Sequence, residues 1–199
     1  MSGATRVLLL RHGQSTWNAD GRWQGQADPP LSSLGRLQAN AAVAALGTVD
    51  AIVASDLVRA VETAHLLAVG IGVGPVIVDA RWRERDAGEW TGLTRDEIDA
   101  GWPNFLNDGR RPLGWEPAEV VAGRAIEALT ALAVDFAGAE VVAVTHSGVI
   151  RSVETAMGVD EGARSNLAGR WVDVRSGCLT LGDRVKLVDH AALAASMVE

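Results

Sequence analysis

Val7-Leu8-Leu9-Leu10-Arg11-His12-Gly13 is the stretch on which the fold turns. Its four aliphatic residues are too few for a helix and show no polar alternation. They read as a strand covered on both faces, the kind found in a parallel sheet with crossover helices. The residues that follow matter as much. An arginine, a histidine and a glycine stand just past the strand's carboxyl end, where open α/β sheets gather their reactive groups.

The same pattern recurs outward from this point. Ser32 reads as the N-cap of a helix reaching Leu46, with Leu34, Leu37, Ala41 and Ala45 at steps of three and four. Residues 51–54 form a second strand, and Ser55 reads as the cap of a helix carrying Leu57, Val61, Ala64 and Ala68. Gly70, Gly72 and Gly74 close that helix, and residues 76–78 form a third strand. These glycines do not link a strand to a helix, so no dinucleotide fingerprint is present. Thr94 and Glu97 make a capping box for a short helix.

Residues 102–116 read as an irregular, lid-like segment. A long helix follows over 117–136, with Val121, Ala125, Leu129, Leu132 and Phe136 on one face. Residues 141–144 are a strand and 149–157 a helix. Runs at 171–174, 178–181 and 185–188 read as short strands and turns before a loose tail. With no repeat or linker, the chain reads as one α/β domain over 1–199, its core spanning about 6–188.

Composition narrows the function. Of the 199 residues 48% are hydrophobic and 22% charged, enough apolar material for a full core. A net charge of −7 argues against a nucleic-acid binder or an anionic-membrane binder. The aliphatic run at 7–10 is too short for a signal-peptide core or a membrane span, which points to the cytoplasm. The single cysteine, Cys178, leaves no disulfide framework and no cysteine zinc cluster.

Three strand ends carry related chemistry. The first runs into Arg11-His12-Gly13, the second into Ser55-Asp56 with Arg59 one turn on, and the fourth into Thr145-His146-Ser147-Gly148. Two histidines and two arginines thus converge beside helix N-termini, whose free N–H groups attract anions. Arginine's planar fork suits phosphate oxygens. The expected site is a phosphate pocket built from parts far apart in sequence.

Leu-Leu-Arg-His-Gly-Gln-Ser-Thr-Trp-Asn at 9–18 resembles the signature of the histidine phosphatase superfamily, the phosphoglycerate mutase-like proteins. The likeness continues through Gly21-Arg22-Trp23-Gln24-Gly25-Gln26, Ser55-Asp56-Leu57-Val58-Arg59-Ala60, Arg83-Glu84, Gly88-Glu89-Trp90 and Thr145-His146-Ser147-Gly148-Val149-Ile150-Arg151. It spans about residues 6–157. The implied fold is a three-layer αβα sandwich, its sheet mostly parallel with one antiparallel strand.

The resemblance also implies roles. His12 is the nucleophile that becomes phosphohistidine. Arg11, Arg59 and His146 hold the phosphoryl oxygens, with Asn18, Gln24, Ser147 and Gly148 completing the phosphate site. Glu84 is the general acid and base. Without the resemblance, Glu84 in Arg81-Trp82-Arg83-Glu84-Arg85-Asp86 reads as a surface ion-pair member, and His65 and His190 read as ordinary helix-face or surface residues. No metal and no cofactor is implied. The expected partner is a small phosphate ester, and a homodimer is compatible.

Within the superfamily the phosphatase branch is favoured, with stretches 22–37 and 53–64 similar to actinobacterial glucosyl-phosphoglycerate phosphatases and the whole similar to broad-specificity acid phosphatases. The alternative is a cofactor-dependent phosphoglycerate mutase, for which Arg110-Arg111 would form part of a bisphosphate site. A non-catalytic binding relative ranks third, because His12, Arg59 and His146 are all present.

Overall fold

Side chains alternate across the first strand, β1 (Thr5–Arg11), so its unbroken aliphatic run feeds two cores at once. Val7 and Leu9 join one apolar cluster, Leu8 and Leu10 the other, and all four are at most 1% exposed. The structure is a computed structural model that describes residues 3–159 and 165–195.

Five further strands complete the sheet: β2 (Ala51–Ala54), β3 (Ile77–Val78), β4 (Glu140–Thr145), β5 (Ala168–Arg175) and β6 (Cys178–Lys186). Their order is β3-β2-β4-β1-β5-β6. Pairings β2–β3, β2–β4 and β1–β4 are parallel. β5 pairs antiparallel with both β1 and β6, so it alone runs against the rest.

Seven helices are described: α1 (Thr16–Ala19), α2 (Ser33–Leu46), α3 (Val58–Ile71), α4 (Arg95–Gly101), α5 (Ala118–Asp135), α6 (Ser147–Ala156) and α7 (His190–Ala195). Ala42 of α2 and Ala60, Ala64 and Leu67 of α3 pack on the Leu8/Leu10 face. Val121, Ala125 and Leu129 of α5 pack with Val149 and Val153 of α6 on the Val7/Leu9 face. These two faces and the sheet are the three expected layers. On α6, Glu154 is 1% exposed and meets Arg170 and Arg184 at 3.4 Å each, which ties the β5–β6 hairpin to α6. No described helix is long and apolar enough to cross a membrane.

Three local expectations are corrected. α2 buries Gly35, Gln38, Ala39 and Ala42 instead of the Leu34/Leu37 face, and Leu37 is 42% exposed. The helix rotates because Gly35 lies against the loop after β1, where a Cβ would come within 2.0 Å of the Gln14 carbonyl oxygen. Gln38 Oε1 also accepts the Gln14 N–H at 2.8 Å. Ser55 is not the cap of α3. Leu57 holds the N-cap position, and Asp28 Oδ1, from a distant loop, accepts the Val58 N–H at 2.7 Å. The expected tail begins instead with α7, and residues 196–199 lie outside the described residues.

Candidate active site

The carboxyl ends of β1, β4 and β2 are laced together by backbone hydrogen bonds. His12 N–H donates to the Thr145 carbonyl at 3.0 Å, and Ser55 N–H to that of Val144 at 2.9 Å. This brings the rings of His12 and His146 to 5.0 Å between centroids, inclined at 60°. His12 Nδ1 lies 2.6 Å from the Gly13 carbonyl oxygen, so Nδ1 carries the proton and Nε2 keeps its lone pair. His146 is the N-cap of α6, and neither of its ring nitrogens has a hydrogen-bond partner among the described residues.

Both rings are almost wholly buried, and burial pushes both pKa values well below the usual imidazole value. The positive charges of Arg59 and Arg11 push further in the same direction. Both histidines are therefore neutral. Arg59 is itself fully buried, and loss of solvation lowers its pKa to about 10, which leaves it charged. Its Nη1 and Nη2 donate to the carbonyls of Ala27 and Gly25 at 2.8 and 3.0 Å.

Glu84 lies on an irregular segment between two 3₁₀ turns, Ala80–Trp82 and Gly88–Trp90. Its Oε1 accepts the Arg85 N–H at 2.8 Å and its Oε2 the Gly148 N–H at 3.2 Å. This approach needs a glycine at 148, because a Cβ there would stand 2.2 Å from Glu84 Oε1. Asn18 closes the capping box of α1, its Oδ1 accepting the Ser15 N–H at 3.2 Å. Ser15 Oγ donates to Gln24 Oε1 at 2.7 Å.

These groups surround a cavity of about 480 Å³. Arg11, His12, Asn18, Gln24, Glu84, Ser147 and Gly148 line it, whereas Arg59 and His146 are buried beside it without lining it. Arg110 and Arg111 part company. Arg110 lies over Phe105 and pairs with Asp108, while Arg111 lines the cavity beside Trp115. Among the described residues, no three His, Cys, Asp or Glu side chains are grouped as metal ligands.

Several further residues neighbour the site. Arg85, Arg151 and Trp115 also line the cavity. Asn166 Nδ2 donates to the His12 carbonyl at 2.9 Å, yet it lies beyond the stretch that carried the resemblance. His190 is no ordinary surface residue: its Nε2 lies 2.9 Å from the Asn166 carbonyl and its Nδ1 3.2 Å from Gln38 Nε2. A histidine shortly after the last strand run carried no signal in the sequence.

With this sheet and this histidine pair on one edge of it, the chain belongs to the histidine phosphatase superfamily (branch 1), matched over residues 7–170. Among relatives, glucosyl-3-phosphoglycerate phosphatase of Mycobacterium tuberculosis is 37% identical over 195 residues, covering 84% of this chain and 87% of that one. A solved mycobacterial glucosyl-3-phosphoglycerate phosphatase, in complex with VO3, superposes with a TM-score of 0.81 at 33% identity, covering 88% of this chain and 96% of that one. A metal-independent phosphoserine phosphatase of Arabidopsis thaliana is 31% identical over 198 residues, 94% of this chain and 81% of its own. A probable phosphoglycerate mutase of Cronobacter sakazakii is 42% identical over a shorter 125 residues, 58% of this chain and 57% of its own.

Proposed function

We propose that the protein is a metal-independent phosphomonoesterase of the cytoplasm, acting on small phosphorylated metabolites through a phosphohistidine. The observation that carries this reading is the neutral His12, its Nδ1 proton tied to Gly13 and its Nε2 lone pair available at the cavity. His12 Nε2 attacks phosphorus while the bond to the leaving oxygen breaks, and protonated Glu84 gives that oxygen its proton. Water then attacks the phosphohistidine, Glu84 takes a proton from it, and the P–N bond breaks to restore His12. Arg11, Arg59 and His146 are assigned the charge on the phosphoryl oxygens, and Asn18, Gln24, Ser147 and Gly148 the walls of the phosphate site.

The cavity exceeds what a phosphate needs, and its remaining wall is cationic and aromatic. Arg85, Arg111 and Arg151 meet there with Trp23 and Trp115. Glu84 and Glu116 offset part of the repulsion that Arg111 and Arg151 exert on Arg85. Among the described residues, however, Glu84 is the one carboxylate lining the cavity against these three guanidiniums, so an anion among the three is welcome. We therefore assign esters whose leaving group carries a second negative charge. Both named phosphatase relatives act on phosphorylated carboxylates.

The test is a panel of phosphate esters, with and without chelator, read as kcat/KM. Release of inorganic phosphate unaffected by chelator, fastest on esters bearing a carboxylate, is expected. Supplied with 3-phosphoglycerate and a catalytic amount of 2,3-bisphosphoglycerate, the enzyme should form 2-phosphoglycerate far more slowly than it cleaves its best ester. Faster isomerisation would overturn the phosphatase assignment in favour of the mutase.

A further inference from the structure

Glu84 has no ladder to hold it. Residues 83–86 belong to neither helix nor strand, yet an acid catalyst must be placed to within a fraction of an ångström. The carbonyls of this segment are gathered by one side chain of α5, which packs with Trp82 in the same apolar cluster. Arg124 of α5 donates through Nη1 to the Arg81 and Arg83 carbonyls at 2.8 and 2.6 Å, and through Nη2 to the Glu84 carbonyl at 3.2 Å. Its Nε and Nη2 also meet Glu116 Oε1 and Oε2 at 3.0 and 3.1 Å.

Glu116 closes the ring. Its Oε2 accepts the Asp86 N–H and its own N–H donates to the Asp86 carbonyl, both at 3.0 Å. Arg124 and Glu116 are 18% and 15% exposed, so water competes little for these bonds. Neither residue lines the cavity. Glu116 is also the last residue of the segment 102–116 that covers the site, so one ion pair ties the root of that segment to the backbone of Glu84.

We propose that Arg124, with Glu116 as its fixed counter-ion, is the positioning residue for the general acid. This rests on the reading of Glu84 as that acid. Arginine is needed because a planar fork with five donors can reach three carbonyls and a carboxylate together. A lysine ammonium at the end of its stem cannot.

The experiment is single-turnover phosphorylation of Arg124→Lys, Glu84→Gln and the double variant, on an alkyl phosphate and on p-nitrophenyl phosphate. The alkyl ester needs its leaving oxygen protonated, whereas nitrophenolate leaves unaided. Arg124→Lys should slow the alkyl ester roughly 10- to 100-fold and the nitrophenyl ester by no more than about 3-fold. The double variant should cleave the alkyl ester no more slowly than Glu84→Gln alone, because Arg124 acts through Glu84. If Arg124→Lys does not fold, Glu116→Gln keeps the shape and removes the charge, and the same selectivity should appear at about 3- to 10-fold.

Equal losses on both esters, or losses that multiply in the double variant, would reduce Arg124 to a structural residue and overturn the proposal. If Glu84→Gln is selective and Arg124→Lys is not, the proposal alone fails. If Glu84→Gln is itself unselective, Glu84 is not the acid and the proposal falls with that reading.

Discussion

The phosphate end of the cavity and its outer wall are held by different forces. At the inner end, groups from three strand ends are locked by backbone hydrogen bonds and by glycines that let chains touch, and the rings of His12 and His146 are buried. The outer wall stands on short turns and aromatic packing. Trp23, Trp90, Trp102 and Trp115 contact one another with ring centroids 5.4 to 6.4 Å apart, and Arg85 and Arg111 lie 5.2 Å from the Trp115 ring. Each such contact is worth about 0.5–1.5 kcal/mol and tolerates small displacements. A buried, fixed group at the inner end tolerates almost none. Damage at the inner end should therefore appear in kcat, and damage at the wall in KM.

The largest effect tests the inner end directly. His12→Ala should abolish turnover and the trapped phosphoenzyme together, because the variant lacks the imidazole Nε2 on which the phosphoenzyme is proposed to form. Acid-labile, alkali-stable label retained on the variant would show that another residue takes the phosphoryl group. Next comes Glu84→Gln, expected to slow alkyl ester cleavage by roughly two to four orders of magnitude. Gly148→Ala should act on the same step. Its methyl group would collide with Glu84 Oε1 at 2.2 Å and push the acid aside, for a loss of about 100-fold on alkyl esters. Turnover at the wild-type rate in that variant would mean the acid has a different working position.

How much of this was legible follows from where each contact lies in the chain. The cradle could be read because each piece is local: a strand, then a polar tripeptide, then a helix start, at residues 11–13, 55–59 and 145–148. Their convergence follows from the rules of open α/β sheets. The rotation of α2 could not be read, because it depends on Gly35 meeting Gln14 across a loop. Arg85 and Arg124 carried no signal either. The first sat in a run of charges indistinguishable from a solvated turn, and the second on a helix whose apolar stripe explained the pattern without it. The link from His190 through Asn166 to His12 joins residues 24 and 154 positions apart, beyond any local pattern.

The buried histidines make stability depend on pH in a fixed direction. An unfolded histidine protonates near pH 6.5, while burial keeps His12 and His146 neutral to well below that. Below pH 6.5 the unfolded chain binds more protons than the folded one. Stability is therefore full above that pH and falls as the solution is acidified towards the folded pKa values, by up to about 1.4 kcal/mol per pH unit for each histidine. Denaturant unfolding at pH 7.5, 6.0 and 5.0 should show the decline, and His12→Ala should flatten it. An unchanged slope in the variant would mean that His12 titrates in the folded state as it does in the unfolded chain.

The smallest expected effect sharpens the contrast between the two regions most. Trp115→Leu keeps an apolar side chain but removes two aromatic contacts, with Trp23 at 5.8 Å and Trp90 at 5.6 Å, and the ring beneath Arg85 and Arg111. The loss of about 1–2 kcal/mol lowers Tm by a few degrees for a chain of this length. With their platform gone, Arg85 and Arg111 hold the leaving group less well, so KM for a carboxylate-bearing ester should rise about 10-fold. His12, Glu84 and their backbone ties are untouched, so kcat should stay within about 3-fold and p-nitrophenyl phosphate should be cleaved at its former rate. A large fall in kcat at constant KM would mean that Trp115 helps set the position of the acid. The outer wall would then belong to the catalytic machinery, and the division between fixing the chemistry and selecting the ester would fail.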